Sequence, residues 1–405
     1  MKTVITNCHL IDGVSDGPKP DASVVMENGL IAQVATGGEW VETDGAQVID
    51  AQGGWLLPGL WDVHVHLMFP DPPPTTLPAR VIRYGLNAME GLMEGGVTAI
   101  RSAGVEHWID VAWKQAFDSG QALGPRVFAS GYFLTTTAGH ALRWPFSREC
   151  DSPGGFVQAI REQIMNGVDH IKLNLSGGIM GPAWDRHWHS FLLQDELEAV
   201  FQVCRQRGMK VMSHATNPDA VKDAIRLGTW SIEHGYIMDD ECIQMMLDKS
   251  VIYVPTLGIS HLTPKQATND YERQYLERRK ISAEMLERAD AAGGEHRLWF
   301  QKALKAGVTM ALGSDLGPVK DSAHLEMGLW VRDGATPMQA IQAATRVSAQ
   351  TCGVGDDLGT VEVGKIADLI VVHDDPLENI ANLRRPRMVF KDGRLVVDKR
   401  EEDQG

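Results

Sequence analysis

The sequence predicts an α/β protein: a (β/α)8 TIM barrel carrying a small β-sandwich domain formed by both chain ends. Three observations point there. Residues 58–352 alternate short strand-like apolar runs with amphipathic helices, the signature of repeated β/α units. Eight strand candidates lie in that stretch, at 60–67, 97–104, 126–131, 170–175, 210–215, 231–235, 251–256 and 309–315. Residues 1–57 and 353–405 read instead as β hairpins, which assigns both ends to one sheet domain. A doubly wound open sheet competes, but Ser176-Gly177-Gly178 does not supply its GxGxxG nucleotide loop.

Taken in order, Val24 to Val34 forms the first hairpin, with Asn28-Gly29 suited to the positive-φ positions of a type I′ turn. Phe156, Ile160 and Ile164 recur every four residues and share one helix face. Ser152 can cap that helix, Pro153 suits its first turn and Gly167 can close it. Residues 264–304 are too long for one connection and predict a helical insertion over the barrel mouth. Its Glu272-Arg273 and Glu277-Arg278-Arg279-Lys280 read as a solvated face. Residues 367–372 make a further strand, and Met388 to Val397 repeats the hairpin around Asp392-Gly393.

Composition narrows the function. The 405 residues carry 38 basic and 53 acidic side chains, a net charge of −15, which disfavours a nucleic-acid partner. No apolar stretch approaches the roughly 18 residues of a membrane span, and the opening residues lack the apolar core of a secretion signal. Cys8, Cys150, Cys204, Cys242 and Cys352 are odd in number and form no CxxC, which is cytoplasmic thiol usage and not a disulfide frame or sulfur metal site. The expected partner is a small-molecule substrate. A homo-oligomer is expected as well, Trp108 and Trp113 being core or interface residues.

Histidine carries the chemistry. His64 and His66 end the first strand two residues apart, so they share a face and offer two imidazoles for a metal; paired surface histidines are the alternative. In the fourth strand Ile171, Leu173 and Leu175 share one face, which turns Lys172 to the barrel interior. There it is either a buried lysine paired with an acid or, after carbamylation by CO2, a carboxylate able to bridge two ions. His214 and His234 end strands five and six, at the edge where barrel enzymes keep their chemistry. Asp315 ends strand eight, as an N-cap or as a metal ligand and proton carrier. One such group is easily structural; six at the same edge suit two adjacent divalent ions.

This set, together with Leu57-Pro58-Gly59-Leu60-Trp61-Asp62-Val63-His64-Val65-His66 and Gly364-Lys365-Ile366-Ala367-Asp368-Leu369-Ile370-Val371-Val372, resembles the amidohydrolase superfamily over nearly the whole chain. The resemblance implies that His64, His66 and Asp315 bind one metal, that His214 and His234 bind a second, and that a CO2-derived carbamate on Lys172 bridges them. Zn2+ is the expected metal for histidine-rich ligation. Asp315 would carry the proton from a metal-bridged hydroxide to the leaving amine. Ile171-Lys172, Ser176-Gly177-Gly178 and Glu233-His234-Gly235-Tyr236 look most like the prolidase-like, imidazolonepropionase-related branch of Xaa-Pro and Xaa-Arg dipeptidases. By that likeness His140 would polarise the scissile carbonyl and Tyr236 would hold the substrate carboxylate.

The mouth loops depart from that branch. His140 is followed by Ala141-Leu142-Arg143-Trp144, and the loop after strand four carries Trp184-Asp185-Arg186-His187-Trp188-His189. Trp144, Trp184 and Trp188 make an aromatic-binding pocket or a packed lid. His187 and His189 read as pocket or surface residues, since they follow no strand pattern. The resulting expectation is a binuclear hydrolase of dipeptides or N-acyl amino acids. The alternative is a hydrolase of aromatic xenobiotic amides or carbamates. A cyclic-amide hydrolase or deaminase is a further alternative; the resemblance sets Lys172 against the deaminases, which lack a bridging lysine, and the intact metal positions oppose a scaffold barrel.

Overall fold

A computed structural model describes residues 2–68, 76–142 and 144–401, so Arg143 of the His140 loop lies outside the described residues. Leu60–Val65, Val97–Ser102 and Arg126–Phe128 pair in parallel as one sheet. Phe133–Thr135, His170–Asn174, Lys210–Ala215, Ser231–His234 and Ile252–Val254 pair in parallel as another, with Ser147–Glu149 at its edge. Backbone bonds link the two. Asp169 N–H donates to Ala129 C=O at 2.8 Å, Ala311 N–H to Tyr253 C=O at 3.0 Å, and Val63 N–H to Leu312 C=O at 2.9 Å. Helices such as Leu77–Gly95, Ser152–Met165, Gln194–Gln206 and Pro218–Leu227 follow individual strands, the expected TIM-barrel-type alternation.

Two expected strands are shorter than the sequence pattern suggests. The third stops at Phe128, and the chain turns at Gly131, whose φ is +63°. The eighth, expected over 309–315, makes only an isolated bridge between Met310 and Tyr253. Crowding explains this: a Cβ on Gly313 would lie 2.6 Å from that of His64, and Asp315 has φ +54°. The backbones of the first and last strand ends approach too closely for a regular ladder, yet Asp315 N–H still reaches His64 C=O at 2.8 Å.

The chain ends form one mixed sheet. Met388–Lys391, Leu369–Val372, Trp55–Pro58, Lys2–Leu10, Lys19–Glu27 and Leu30–Ala35 are neighbours in that order, with Arg394–Asp398 outside Met388–Lys391 and Gln47–Asp50 beside Lys2–Leu10. Where a sandwich was expected, hydrogen bonds run continuously through a single sheet around Ile5, Leu10, Val24, Met26, Leu369 and Phe390. Both hairpin tips have the positive φ pairs of the expected turn: Asn28 +52° and Gly29 +86°, Asp392 +51° and Gly393 +69°. They also touch, a Cβ on Gly393 lying 3.1 Å from Gly29 Cα, so the two chain ends close on each other through glycine.

The insertion consists of Asp270–Glu277 and Ala283–Ala306, joined by a short turn. Ser282 caps the longer helix by accepting from Met285 N–H, and Gly307 ends it in the left-handed conformation. Among the described residues no helix is long and apolar enough to cross a membrane.

Candidate active site

The strand ends converge as the alternation requires. His64 Nδ1 lies 2.7 Å from Glu233 Oε2, and Glu233 is held in turn by Arg101 at 2.9 Å and by Ser231. That buried carboxylate makes Nδ1 the donor and leaves Nε2 as the ligand atom. Gly104 C=O does the same for His66, at 3.2 Å from Nδ1. The two Nε2 atoms lie 3.7 and 3.5 Å from Asp315 Oδ1, and His64, His66 and Asp315 can place one ligand atom each within 4.8 Å of one another. His214 donates through Nε2 to Gly177 C=O at 2.9 Å, and His234 Nδ1 meets Thr256 Oγ1 at 2.7 Å. The His214 and His234 rings are 4.3 Å apart, and His234 is 4.9 Å from His64.

Burial pushes all four imidazoles well down, His66 to about 3, with Lys172 adding to the effect. They are neutral and therefore able to ligate a cation. His234 and Asp315 both adopt left-handed backbone, φ +74° and +54°, which costs a non-glycine residue about 1–3 kcal/mol. Tyr253 helps to hold His234 there by donating to its carbonyl at 2.9 Å.

Lys172 points inward as the strand pattern requires, while Ile171 and Leu173 are buried among the helices. Its Nζ is enclosed and has no hydrogen-bond partner among the described residues. Burial pushes this ammonium down, opposed by Glu233 and Asp315, and burial pushes the Asp315 carboxyl up. Among the described residues no acid pairs directly with the lysine. A group added to Nζ, or held beside it, would complete the site.

These residues open into a cavity of about 390 Å³. His140 lines it, stacks on His214 at 4.1 Å, and is oriented by Asp185 Oδ2 at 2.8 Å from its Nδ1. Asp185 also accepts from Gly178 and Ala141 N–H. This orienting aspartate was missed in the sequence, where nothing in Trp184-Asp185-Arg186 distinguishes a fully buried carboxylate from a surface one. Tyr236 lines the cavity, as does Trp144 beside Phe133 and Phe146. Trp184 and Trp188 are 38% and 55% exposed and lie outside the lining, as do His187 and His189. One expectation is corrected. Arg279 and Lys280 line the cavity instead of belonging wholly to a solvated face, because the turn between the insertion helices passes over the mouth. Glu272 is also buried, accepting from Thr268 N–H.

The amidohydrolase family profile matches residues 55–396. The chain belongs to the amidohydrolase family. It is 30% identical over 379 residues to ochratoxinase of Aspergillus niger, covering 84% of this chain and 75% of that one. It is 23% identical over 435 residues to imidazolonepropionase of Acinetobacter baumannii, covering 98% and 100%. The structure of a Xaa-Pro dipeptidase with methionine in its active site superposes with a TM-score of 0.87 at 29% identity, covering 98% of this chain and 99% of that one. The chain is thus a hydrolase of carbon–nitrogen bonds, with a residue group fit to hold a metal.

Proposed function

We propose that this amidohydrolase cleaves the amide bond of small substrates, dipeptides or N-acyl amino acids, at two divalent metal ions held in a closed (β/α)8 barrel spanning residues 58–352. Residues 1–57 and 353–405 would form the second domain, and the five unpaired thiols suit a cytoplasmic setting. The observation that carries the reading is Lys172 Nζ, without a hydrogen-bond partner among the described residues, beside four neutral imidazoles and Asp315. Addition of CO2 to the free amine, with loss of one proton, converts this orphan donor into a carboxylate. His64, His66 and Asp315 would then hold one ion, His214 and His234 the other, with Lys172 between them. Bound there, Zn2+ ions would supply Lewis acidity and a water nucleophile at neutral pH.

The protein's own groups do the rest. Asp315 takes the proton of the attacking water and returns it to the leaving amine. His140, held by Asp185, donates to the carbonyl oxygen as negative charge develops there. Tyr236 donates to the carboxylate of the amine half. A second reading, hydrolysis of aromatic amides or carbamates, is favoured by the Phe133, Trp144 and Phe146 wall and by the similarity to ochratoxinase. Metal analysis and intact mass under CO2, combined with a screen of dipeptides, N-acyl amino acids and aryl amides, test both. Expected are about two ions per chain, a CO2 adduct on Lys172 and turnover of at least one class. A metal-loaded enzyme with unmodified Lys172 and full activity would refute the bridge.

A further inference from the structure

Charge at the cavity wall is unbalanced. Among the described lining residues Asp315 is the only carboxylate, whereas Arg80, Lys172, Arg279 and Lys280 are cationic. Arg80 is matched by Glu106, with Nη2 at 3.0 Å from Oε2; Lys172 belongs to the ligand set, and Lys280 is exposed to solvent. Arg279 is different. Its Nη1 is enclosed and has no hydrogen-bond partner among the described residues. Its neighbour Arg278 pairs with Asp321 at 3.2 Å, whereas Arg279 has no ion pair among the described residues.

The unmatched guanidinium packs against an aromatic residue of the insertion. It lies 5.6 Å from the ring centre of the buried Tyr275, whose hydroxyl donates to Gly317 C=O at 3.0 Å. Gly317 lines the same cavity two residues beyond Asp315. An enclosed cationic N–H without an acceptor is costly, and the planar guanidinium matches a carboxylate through paired hydrogen bonds. From the same hairpin Ile281 and Met285 add apolar surface to the wall of Phe133, Trp144 and Phe146.

We propose that Arg279 binds the carboxylate of the substrate, so that the enzyme selects N-acyl or N-aroyl amino acids with bulky apolar groups over uncharged aryl amides. The inference rests on the reading of this cavity as the amide-hydrolysing site. It assigns the charged half of substrate recognition to the insertion, with Tyr236 supplying a neutral donor.

The test compares N-benzoyl-L-phenylalanine with its uncharged counterpart N-(2-phenylethyl)benzamide on the metal-loaded enzyme. For Arg279→Met, kcat/KM for the acid should fall roughly 10- to 100-fold, as expected for loss of a hydrogen bond between charged groups. Arg279→Lys should recover part of it, and the uncharged amide should be indifferent to both. A binding arm uses Asp315→Asn enzyme, in which turnover is suppressed, and reads Kd for the acid by calorimetry with and without Arg279→Met. The same weakening is expected there. Equal losses for acid and amide, no loss in either arm, or no binding of the acid by the Asp315→Asn enzyme would overturn the assignment. Binding through Arg279 without turnover of either compound by the unsubstituted enzyme would instead uphold the carboxylate contact and overturn the reading of N-acyl amino acids as substrates.

Discussion

The ligand end of the barrel and the mouth above it are built on different principles. His64, His214, His234 and Lys172 stand on buried strands or strand ends, and each histidine has its second nitrogen position set by a named neighbour such as Glu233, Gly177 or Thr256. The mouth is assembled from loops and an insertion: Trp144 and Arg279 line the cavity, while Trp184 and Trp188, equally aromatic and close in sequence to a buried aspartate, are exposed and do not. On the proposed reading, the strands hold the groups of the reaction itself. On the same reading, the loops hold the groups that select the substrate.

The largest effect that would break this division is at the strand ends. His64→Ala or His66→Ala should abolish turnover and lower metal content measured by atomic absorption, because such a shell cannot spare ligands. Full activity in either variant would mean that the strand end is not the reaction centre. Next, Asp315→Asn keeps size but loses the base, so kcat should fall about 10²–10⁴-fold, with metal content reduced less than in the histidine variants. Steady-state kinetics with parallel metal analysis reads both; an unchanged kcat removes Asp315 from the proton path.

Substitutions at the mouth should act selectively. Tyr236→Phe should lower kcat/KM roughly 10- to 100-fold for substrates bearing a carboxylate and leave uncharged amides nearly unaffected. Equal losses on both kinds would place Tyr236 in the chemistry. The smallest effect is expected at the outer tryptophans. Trp184→Ala and Trp188→Ala should change stability within about 0.5 kcal/mol, as surface substitutions do, and leave kcat/KM near that of the parent. Trp144→Ala should raise KM for aromatic substrates. Chemical denaturation together with a KM comparison across the three variants would sharpen the boundary between wall and surface, and a large effect at Trp188 would redraw it.

Much of the ligand end was legible before folding, for a geometric reason. Residues two apart on a strand share a face, so His64 with His66, and Lys172 opposite Ile171 and Leu173, could be oriented from spacing alone. The turn pairs Asn28-Gly29 and Asp392-Gly393 were legible because only a few residue types tolerate consecutive positive φ. The eighth strand was read too long. Its regularity is lost to a close approach between Gly313 and His64, residues far apart in sequence, and no local pattern records such a contact.

By itself, the sequence determined the order of strands and helices, the clustering of His64, His66 and Asp315 at strand ends and the placement of the chain ends in a shared sheet, since periodicity and turn chemistry are local properties. Only the tertiary structure decided that Asp185 is buried against His140, that Arg279 turns into the cavity while Arg278 pairs with Asp321, and that Trp144 lines the wall while Trp184 and Trp188 do not. Those outcomes depend on where loops of irregular backbone cross one another, and burial there follows from contacts between segments distant in the chain.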